Sequence, residues 1–148
     1  MEITIGKQPE FHLVGLFYAG PFSALSQGVP NMVKTLQSRL AQIPHKRDPL
    51  TRYEVSFEDP NGIYTILACT EVEQFQIPPG MIGYTVPALT YAHAVHHGPL
   101  VEVPNTYISV FRWLAEHGYT RRTDLHSIER YHADTENNRV EILIPLEA

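Results

Sequence analysis

The segment from Leu125 to His132, LHSIERYH, carries one carboxylate among apolar and aromatic side chains. Its composition predicts a strand. Because side chains alternate along a strand, Glu129 and Tyr131 share one face and Ile128 lies on the other. If Ile128 packs beneath helices, Glu129 and Tyr131 line a groove. A carboxylate in an apolar groove is costly to desolvate, and an incoming cation relieves that cost.

Aromatic neighbours would add to this attraction, because each ring face contributes about 0.5–2 kcal/mol toward a cation. Charge and flatness, rather than detailed shape, would then select the ligand, as in promiscuous binding proteins. The alternative is an exposed glutamate on an edge strand, paired with Arg130 or Arg139. The pattern of residues leaves both interpretations open.

The histidines raise the question of a metal site. His93 and His97 are four residues apart, which is about 6 Å on a helix but about 13 Å along a strand. Gly98-Pro99 directly follows and favours a strand, so no metal is expected. Cys69 lies in an apolar run and is expected to be a core residue. With no serine–histidine–aspartate constellation, phosphate loop or dinucleotide fingerprint, no cofactor is expected.

Composition limits the class of protein. Of the 148 residues, 43% are hydrophobic and 18% charged, which is typical of a soluble globular protein. We find neither a signal peptide nor an apolar run of the roughly 18–20 residues that span a membrane. The net charge is −5 and the 11 Lys and Arg residues are scattered, so direct nucleic-acid binding is not expected. A single cysteine favours a cytoplasmic location.

The chain resembles itself in two halves. Matching pairs are separated by 74 to 78 residues and occur in the same order in both halves. They are Gly20-Pro21 with Gly98-Pro99, Val29-Pro30-Asn31 with Val103-Pro104-Asn105, and Leu40-Ala41 with Leu114-Ala115. We therefore predict one domain over residues 1–148, made of pseudo-repeats at about 1–74 and 80–148.

The sequence of each half predicts a strand, a helix and two further strands. Pro30 and Pro104 are placed at helix starts, where a fixed φ is favourable. The segment Phe75 to Pro87 is predicted to link the halves. The expected fold class is α+β, with duplicated β-α-β-β modules forming a mainly antiparallel sheet, helices on one face and a central ligand groove.

Several stretches together resemble the GyrI-like small-molecule-binding domain, which is also the effector-binding half of AraC-type and MerR-type multidrug-sensing regulators. They are PPGM, YAHAVHHGP, VPNTYISVFRWLAEHGY and SIERYHAD. The resemblance implies a groove between two modules that binds bulky, often cationic aromatic compounds. It also implies that stand-alone members can act in gyrase inhibition or hydrolyse strained cyclopropane-bearing toxins.

The resemblance also assigns roles to residues of this chain. Glu129 falls on or close to the family's groove glutamate, Tyr107 on an aromatic that stacks on the ligand, and Tyr91 on a common aromatic position. Val33 departs from the family pattern, which often has a bulky aromatic there. Trp113 lies roughly 120° around the helix from Tyr107 and is included as a weaker ligand contact.

Three functions follow as hypotheses. The first is a binding module for an amphipathic, cationic organic molecule, with Glu129 as counter-charge and Tyr107, Tyr91 and Tyr131 as walls. The second is a cofactor-free hydrolase in which Glu129 is the general base and a tyrosine donates a proton. The third is a gyrase-type protein interaction module. A homodimer or a separate regulator is a possible partner.

Overall fold

The computed structural model describes residues 2–132 and 139–147, and it contains one curled antiparallel sheet of eight strands with two long helices. The helices are α1, Leu25–Arg39, and α2, Val103–Glu116. The strands are β1 Ile3–Gln8, β2 Phe11–Pro21, β3 Thr51–Glu58, β4 Ile63–Val72, β5 Ile82–Val86, β6 Leu89–His96, β7 Ile128–His132 and β8 Val140–Pro145. The predicted α+β class is confirmed. Within the described ranges, no helix is both long and apolar enough to cross a membrane.

The strand order is β1-β6-β8-β7-β3-β4-β2-β5, and every neighbouring pair is antiparallel. Strands β1 and β2 are far apart in this order, yet only Pro9 and Glu10 join them. Pro87 and Ala88 join β5 to β6 in the same way. Three Cα–Cα steps reach at most about 11 Å, so the two edges of the sheet must lie close together.

The segment predicted as a linker, Phe75 to Pro87, contains strand β5, and that part of the prediction is wrong. The strand has apolar side chains at alternate positions, Ile82, Tyr84 and Val86, and it pairs with β2. Its short length and the preceding turn at Pro78 to Gly80 conceal this alternation in the sequence.

Helix α2 forms as its sequence predicts. It has Pro104 in its first turn, buries Val110 and Leu114, and is followed by Gly118 at a φ of +80°. Proline has no N–H to lose in the first turn, and glycine adopts positive φ without a steric cost.

Helix α1 begins at Leu25, five residues before Pro30, so the prediction that Pro30 marks its start is wrong. The proline removes one hydrogen bond that the carbonyl of Ser26 would accept. Leu25 and Val29 nevertheless pack against the sheet, and this burial favours the additional turn.

Both faces of the sheet are buried, by different means. Helix α1 packs on β2 and β4, and α2 packs on β6 and β8, which defines the helix-bearing face. The opposite face forms its own apolar core inside the curl, with Leu13, Val55, Ile128 and Leu143 buried. Ile128 therefore packs away from the helices, contrary to the condition considered for Glu129.

Glu129 lies instead on the helix-bearing face. Residues directly opposite in an antiparallel sheet share a face, so the register defines one row across seven strands. The row is Leu16, Ala68, Glu54, Glu129, Ile142, Ala94 and Ile3. Its two carboxylates are adjacent on β3 and β7, at the middle of the sheet, between the strands that α1 covers and those that α2 covers.

Strand β2 depends on glycine where it approaches β4. A Cβ added to Gly15 would collide with the carbonyl oxygen of Ala68 and lie 2.7 Å from the Cα of Cys69. We expect Gly15→Ala to lower the free energy of unfolding by about 1–3 kcal/mol, because backbone atoms must move to admit the methyl group. Gly6→Ala is the matched control, since nothing lies within 4 Å of its added Cβ, and it should change stability by less than about 0.5 kcal/mol. Urea unfolding followed by circular dichroism measures both, and equal midpoints would contradict this account of β2.

Candidate functional site

Two phenols hold the carboxylate of Glu129. The hydroxyl of Tyr107, from α2, donates to Oε2 at 2.7 Å, and the hydroxyl of Tyr131, from β7, donates to Oε1 at 2.5 Å. Glu129 is half-buried. Among the described residues, no Lys, Arg or His lies within ion-pair distance of it. The structure thus brings together three of the predicted site residues around a carboxylate that has no paired cation.

Both phenols remain donors over the whole neutral range. Desolvation raises the pKa of Tyr107 far above that of an ordinary tyrosine, and the charge of Glu129 raises it further. The same two causes, in the same order, raise the pKa of Tyr131. A protonated phenol must donate its hydrogen to an acceptor when it is buried, and Glu129 is that acceptor for both rings.

A second carboxylate, Glu54, lies opposite Glu129 on the neighbouring strand. Its side chain is 13% exposed, and its Oε2 accepts from Nη2 of Arg52 at 2.8 Å and from Nε at 3.1 Å. Desolvation raises the pKa of Glu54; Arg52 opposes this shift, and the charge of Glu129 adds to it. The guanidinium of Arg52 also lies 4.3 Å from the ring centroid of Tyr131. Arg52 therefore pairs with Glu54 and contacts the Tyr131 ring, but it forms no ion pair with Glu129.

Neither Glu54 nor Arg52 was predicted from the sequence. The internal repeat contained the signal, because Glu54 and Glu129 are 75 residues apart, within the spacing of the other matched pairs. Applying that spacing to Glu129 would have identified its counterpart. The interaction of Arg52 with Glu54 and Tyr131 has no comparable sequence signal.

A cavity of about 480 Å³ lies beside Glu129 on the helix-bearing face. Its aromatic lining includes Tyr64 from β4, Phe57 from β3, and Tyr107 and Phe111 from α2. At its rim, the guanidinium of Arg121 lies 3.7 Å from the ring centroid of Phe111. The cavity combines one carboxylate with several ring faces, which together can hold a flat or bulky organic cation.

The two other predicted residues lie elsewhere. Tyr91 is buried in the core on the opposite face of the sheet, and its hydroxyl donates to the carbonyl oxygen of Pro87 at 2.9 Å. Desolvation raises the pKa of Tyr91 to about 12. Trp113 stacks on His117, with ring centroids 4.0 Å apart, and does not line the cavity beside Glu129. The structure does not bring either residue to the groove.

His93 and His97, the two histidines considered for a metal site, lie in strand β6 and directly after it, not on a helix. His93 lies in β6, and its Nε2 is 3.6 Å from Oε2 of Glu141. Within the described part of the chain, no three His, Cys, Asp or Glu side chains form a group suited to a metal ion.

Comparisons with known proteins place this geometry in context. The GyrI-like small molecule binding domain model matches residues 1–147. The transcriptional regulator BrlR of Pseudomonas aeruginosa is 27% identical over 152 residues, covering 99% of this chain and 56% of that protein. The chain thus spans about half the length of this curated relative.

Solved structures share the fold. One is SAV2435 bound to tetraphenylphosphonium, with a TM-score of 0.75 and 13% identity, covering 100% of this chain and 95% of that one. Another is a hydrolase from Listeria innocua, with a TM-score of 0.67 and 10% identity, covering 99% and 92%. At these identities the likeness concerns the fold alone, whereas the family model extends over nearly every residue. The chain belongs to the family of GyrI-like small molecule binding domains.

Proposed function

We propose that the groove between α1 and α2 binds an amphipathic aromatic cation, with Glu129 as its counter-charge. The observation that carries this proposal is the half-buried carboxylate of Glu129, fixed by the hydroxyls of Tyr107 and Tyr131 and without a cationic partner among the described residues.

The local charge favours a cation. Glu54 and Glu129 carry two negative charges on adjacent strands, and Arg52 compensates one of them. The remaining negative charge is half-buried and forms no ion pair with a described residue, although Arg121 and Arg122 also line the cavity, so its desolvation is incompletely compensated in the free protein. A bound cation would supply the missing counter-charge in a medium where Coulombic attraction is stronger than in water.

The aromatic lining favours a large apolar ligand. Tyr64, Tyr107 and Phe111 line the cavity beside Glu129, and their ring faces attract a cation while removing apolar surface from water. Neither interaction requires a particular arrangement of donors on the ligand. The groove is therefore suited to a class of compounds rather than to one molecule.

The relatives support this proposal by analogy. Tetraphenylphosphonium, bound in the SAV2435 structure, is a bulky aromatic cation. BrlR is a transcriptional regulator, and this chain matches about half of its length. We infer that this chain has an effector-sensing role, either with a separate regulator or as a homodimer.

The geometry favours binding over hydrolysis. The hydrolase hypothesis needs a tyrosine hydroxyl that donates a proton to the substrate, whereas the hydroxyls of Tyr107 and Tyr131 both donate their single hydrogen to Glu129. The hydrolase that shares the fold does not alter this argument, because at 10% identity its catalytic groups cannot be transferred.

Neutralising the counter-charge should weaken cation binding. We expect Glu129→Gln to raise the dissociation constant for tetraphenylphosphonium about ten- to hundredfold, because about 1.5–3 kcal/mol of charge interaction is lost. Isothermal titration calorimetry measures the change. Glu116→Gln is the matched control. Glu116 is exposed on the last turn of α2, so its substitution removes the same charge outside the groove. If both variants weakened cation binding equally, the effect of Glu129→Gln would reflect the net charge of the protein and not a contact in the groove.

Removing the internal cation should strengthen binding. Arg52 occupies both the carboxylate of Glu54 and one face of the Tyr131 ring. We expect Arg52→Gln to lower the dissociation constant for tetraphenylphosphonium about three- to tenfold at a pH high enough to ionise the freed carboxylate of Glu54. Arg47→Gln is the control, because Arg47 pairs with Glu71 away from the groove. Weaker binding by Arg52→Gln would show that Arg52 supports the ligand rather than competing with it.

Cation binding should release a proton from Glu54. Burial raises the pKa of Glu54 above 4.5 in the free protein, and a nearby cation stabilises its ionised form, which lowers that pKa. Affinity should therefore rise as the pH approaches the raised pKa of Glu54 from below, and remain constant at higher pH. Titrations in two buffers of different ionisation enthalpy measure the released proton. The release should disappear in Glu54→Gln, and an affinity that falls with rising pH would contradict the assignment.

A further inference from the structure

A second cavity, of about 410 Å³, lies on the helix-bearing face beyond Tyr131. Leu36 of α1 and Leu40, the residue directly after α1, form one side, and Leu50 and Leu100 form part of the opening. Among the described residues, it has no lining residue in common with the cavity beside Glu129. Tyr131 belongs to the wall of the second cavity while its hydroxyl points to Glu129, so its side chain marks the division between the two.

Thr70 is the observation that points to a ligand in this cavity. It lies on β4 opposite Val14, on the helix-bearing face, and lines the cavity. Its residue is 1% exposed, and its Oγ1 has no hydrogen-bond partner among the described residues. Buried hydroxyls in proteins are nearly always hydrogen-bonded, because an unpaired one is costly. A ligand group that accepts or donates a hydrogen bond at this position would remove that cost.

The charges around the cavity differ from those beside Glu129. Arg52 and Arg139 line it, and no described lining residue carries a carboxylate. Arg52 is paired with Glu54 and Arg139 with Glu141, but neither acidic side chain faces this space. An acceptor group is therefore favoured over a cation here, and an acceptor with a negative charge is favoured most.

The residues that the structure describes leave large apolar side chains exposed at the opening of the cavity. Leu50 is 57% exposed and Leu100 is 49% exposed, although both are large hydrophobic residues. An aliphatic segment lying on them and on Leu36 would remove apolar surface of both partners from water. The polar atoms lie at the floor and the apolar surface at the opening, which is the arrangement that an amphipathic molecule complements.

We infer that this cavity is a second binding site, separate from the Glu129 groove, for an amphipathic carboxylate. Its carboxylate accepts hydrogen bonds from Thr70 and Arg52 at the floor, and its alkyl chain lies on Leu36, Leu50 and Leu100. The inference does not depend on cation binding at Glu129, because among the described residues the two cavities have no lining residue in common.

Decanoate, below its micellar concentration, is the probe, and calorimetry measures its affinity. We expect Thr70→Val, which replaces the hydroxyl with a methyl group of similar shape, to weaken decanoate binding about three- to tenfold. Thr70→Ser keeps the hydroxyl and should stay within about threefold of the original protein. Removing an unpaired buried hydroxyl leaves no new unsatisfied group, so Thr70→Val should melt at or above the original temperature.

Two comparisons test which cavity decanoate occupies and which charge its head group must carry. Decanoate should bind with unchanged affinity when tetraphenylphosphonium is present in excess, and to Glu129→Gln as to the original protein. Decyltrimethylammonium has the same chain and the opposite charge, and should not bind at Thr70: its affinity should be the same in Thr70→Val as in the original protein. The Thr70 variants need no bound cation, so they remain decisive if the Glu129 proposal fails.

Three results would overturn the inference. The first is no binding of decanoate, and the second is equal affinity in Thr70→Val and the original protein. The third is competition between decanoate and tetraphenylphosphonium for one site, which would make the two cavities parts of a single groove. Shortening the chain to octanoate should weaken binding up to about fourfold for each buried methylene, and no dependence on length would also contradict the placement of the chain.

Discussion

Two glutamates held side by side in an otherwise aliphatic row of the sheet are the constraint on which the rest of the groove depends. Glu54 and Glu129 face each other across β3 and β7, in a row whose other members are aliphatic. Like charges at such close range in a desolvated place are unfavourable unless other groups compensate them. Arg52 compensates one charge, and the hydroxyls of Tyr107 and Tyr131 stabilise the other. The compensation is unequal, and this inequality leaves room for an external cation.

The same constraint explains why α1 and α2 do not meet over the middle of the sheet. Each helix covers the strands where the sheet carries aliphatic side chains, as α1 does over Val14 and Ala68, and α2 over Ala94 and Ile142. Covering the two carboxylates with leucines would desolvate them without supplying a partner. The gap between the helices is therefore consistent with the side chains beneath it, and the two cavities lie along this gap.

Sequence reasoning predicted the β-α-β-β order of each half and the central carboxylate, but it predicted neither strands β1 and β5 nor the faces of the strands. Alternation in Ile128 to Tyr131 showed which residues share a face; it could not show which face carries the helices, because curling buries both. Tyr91 was assigned to the groove through family resemblance, although it lies in the opposite core. Tyr107 was recognised through family resemblance, and Glu129 through strand alternation together with that resemblance. The cavities were beyond prediction, since their shape depends on the spacing of two helices. The division into two pseudo-repeats remains a prediction, with which the symmetric strand order agrees.

The two-residue connections at Pro9-Glu10 and Pro87-Ala88 have a mechanical consequence. Each half of the chain contributes its first strand to the other half's side of the sheet, since β1 pairs with β6 and β5 with β2. The two halves are thereby connected at both edges of the sheet. Separating them at β3 and β7 would stretch the two short connections on the other side of the curled sheet. A guest that is too large cannot be accommodated by hinge opening of this scaffold. The protein must adjust to a larger ligand by side-chain rotation and small helix shifts. The sheet then stays rigid while the side chains that line the cavities move.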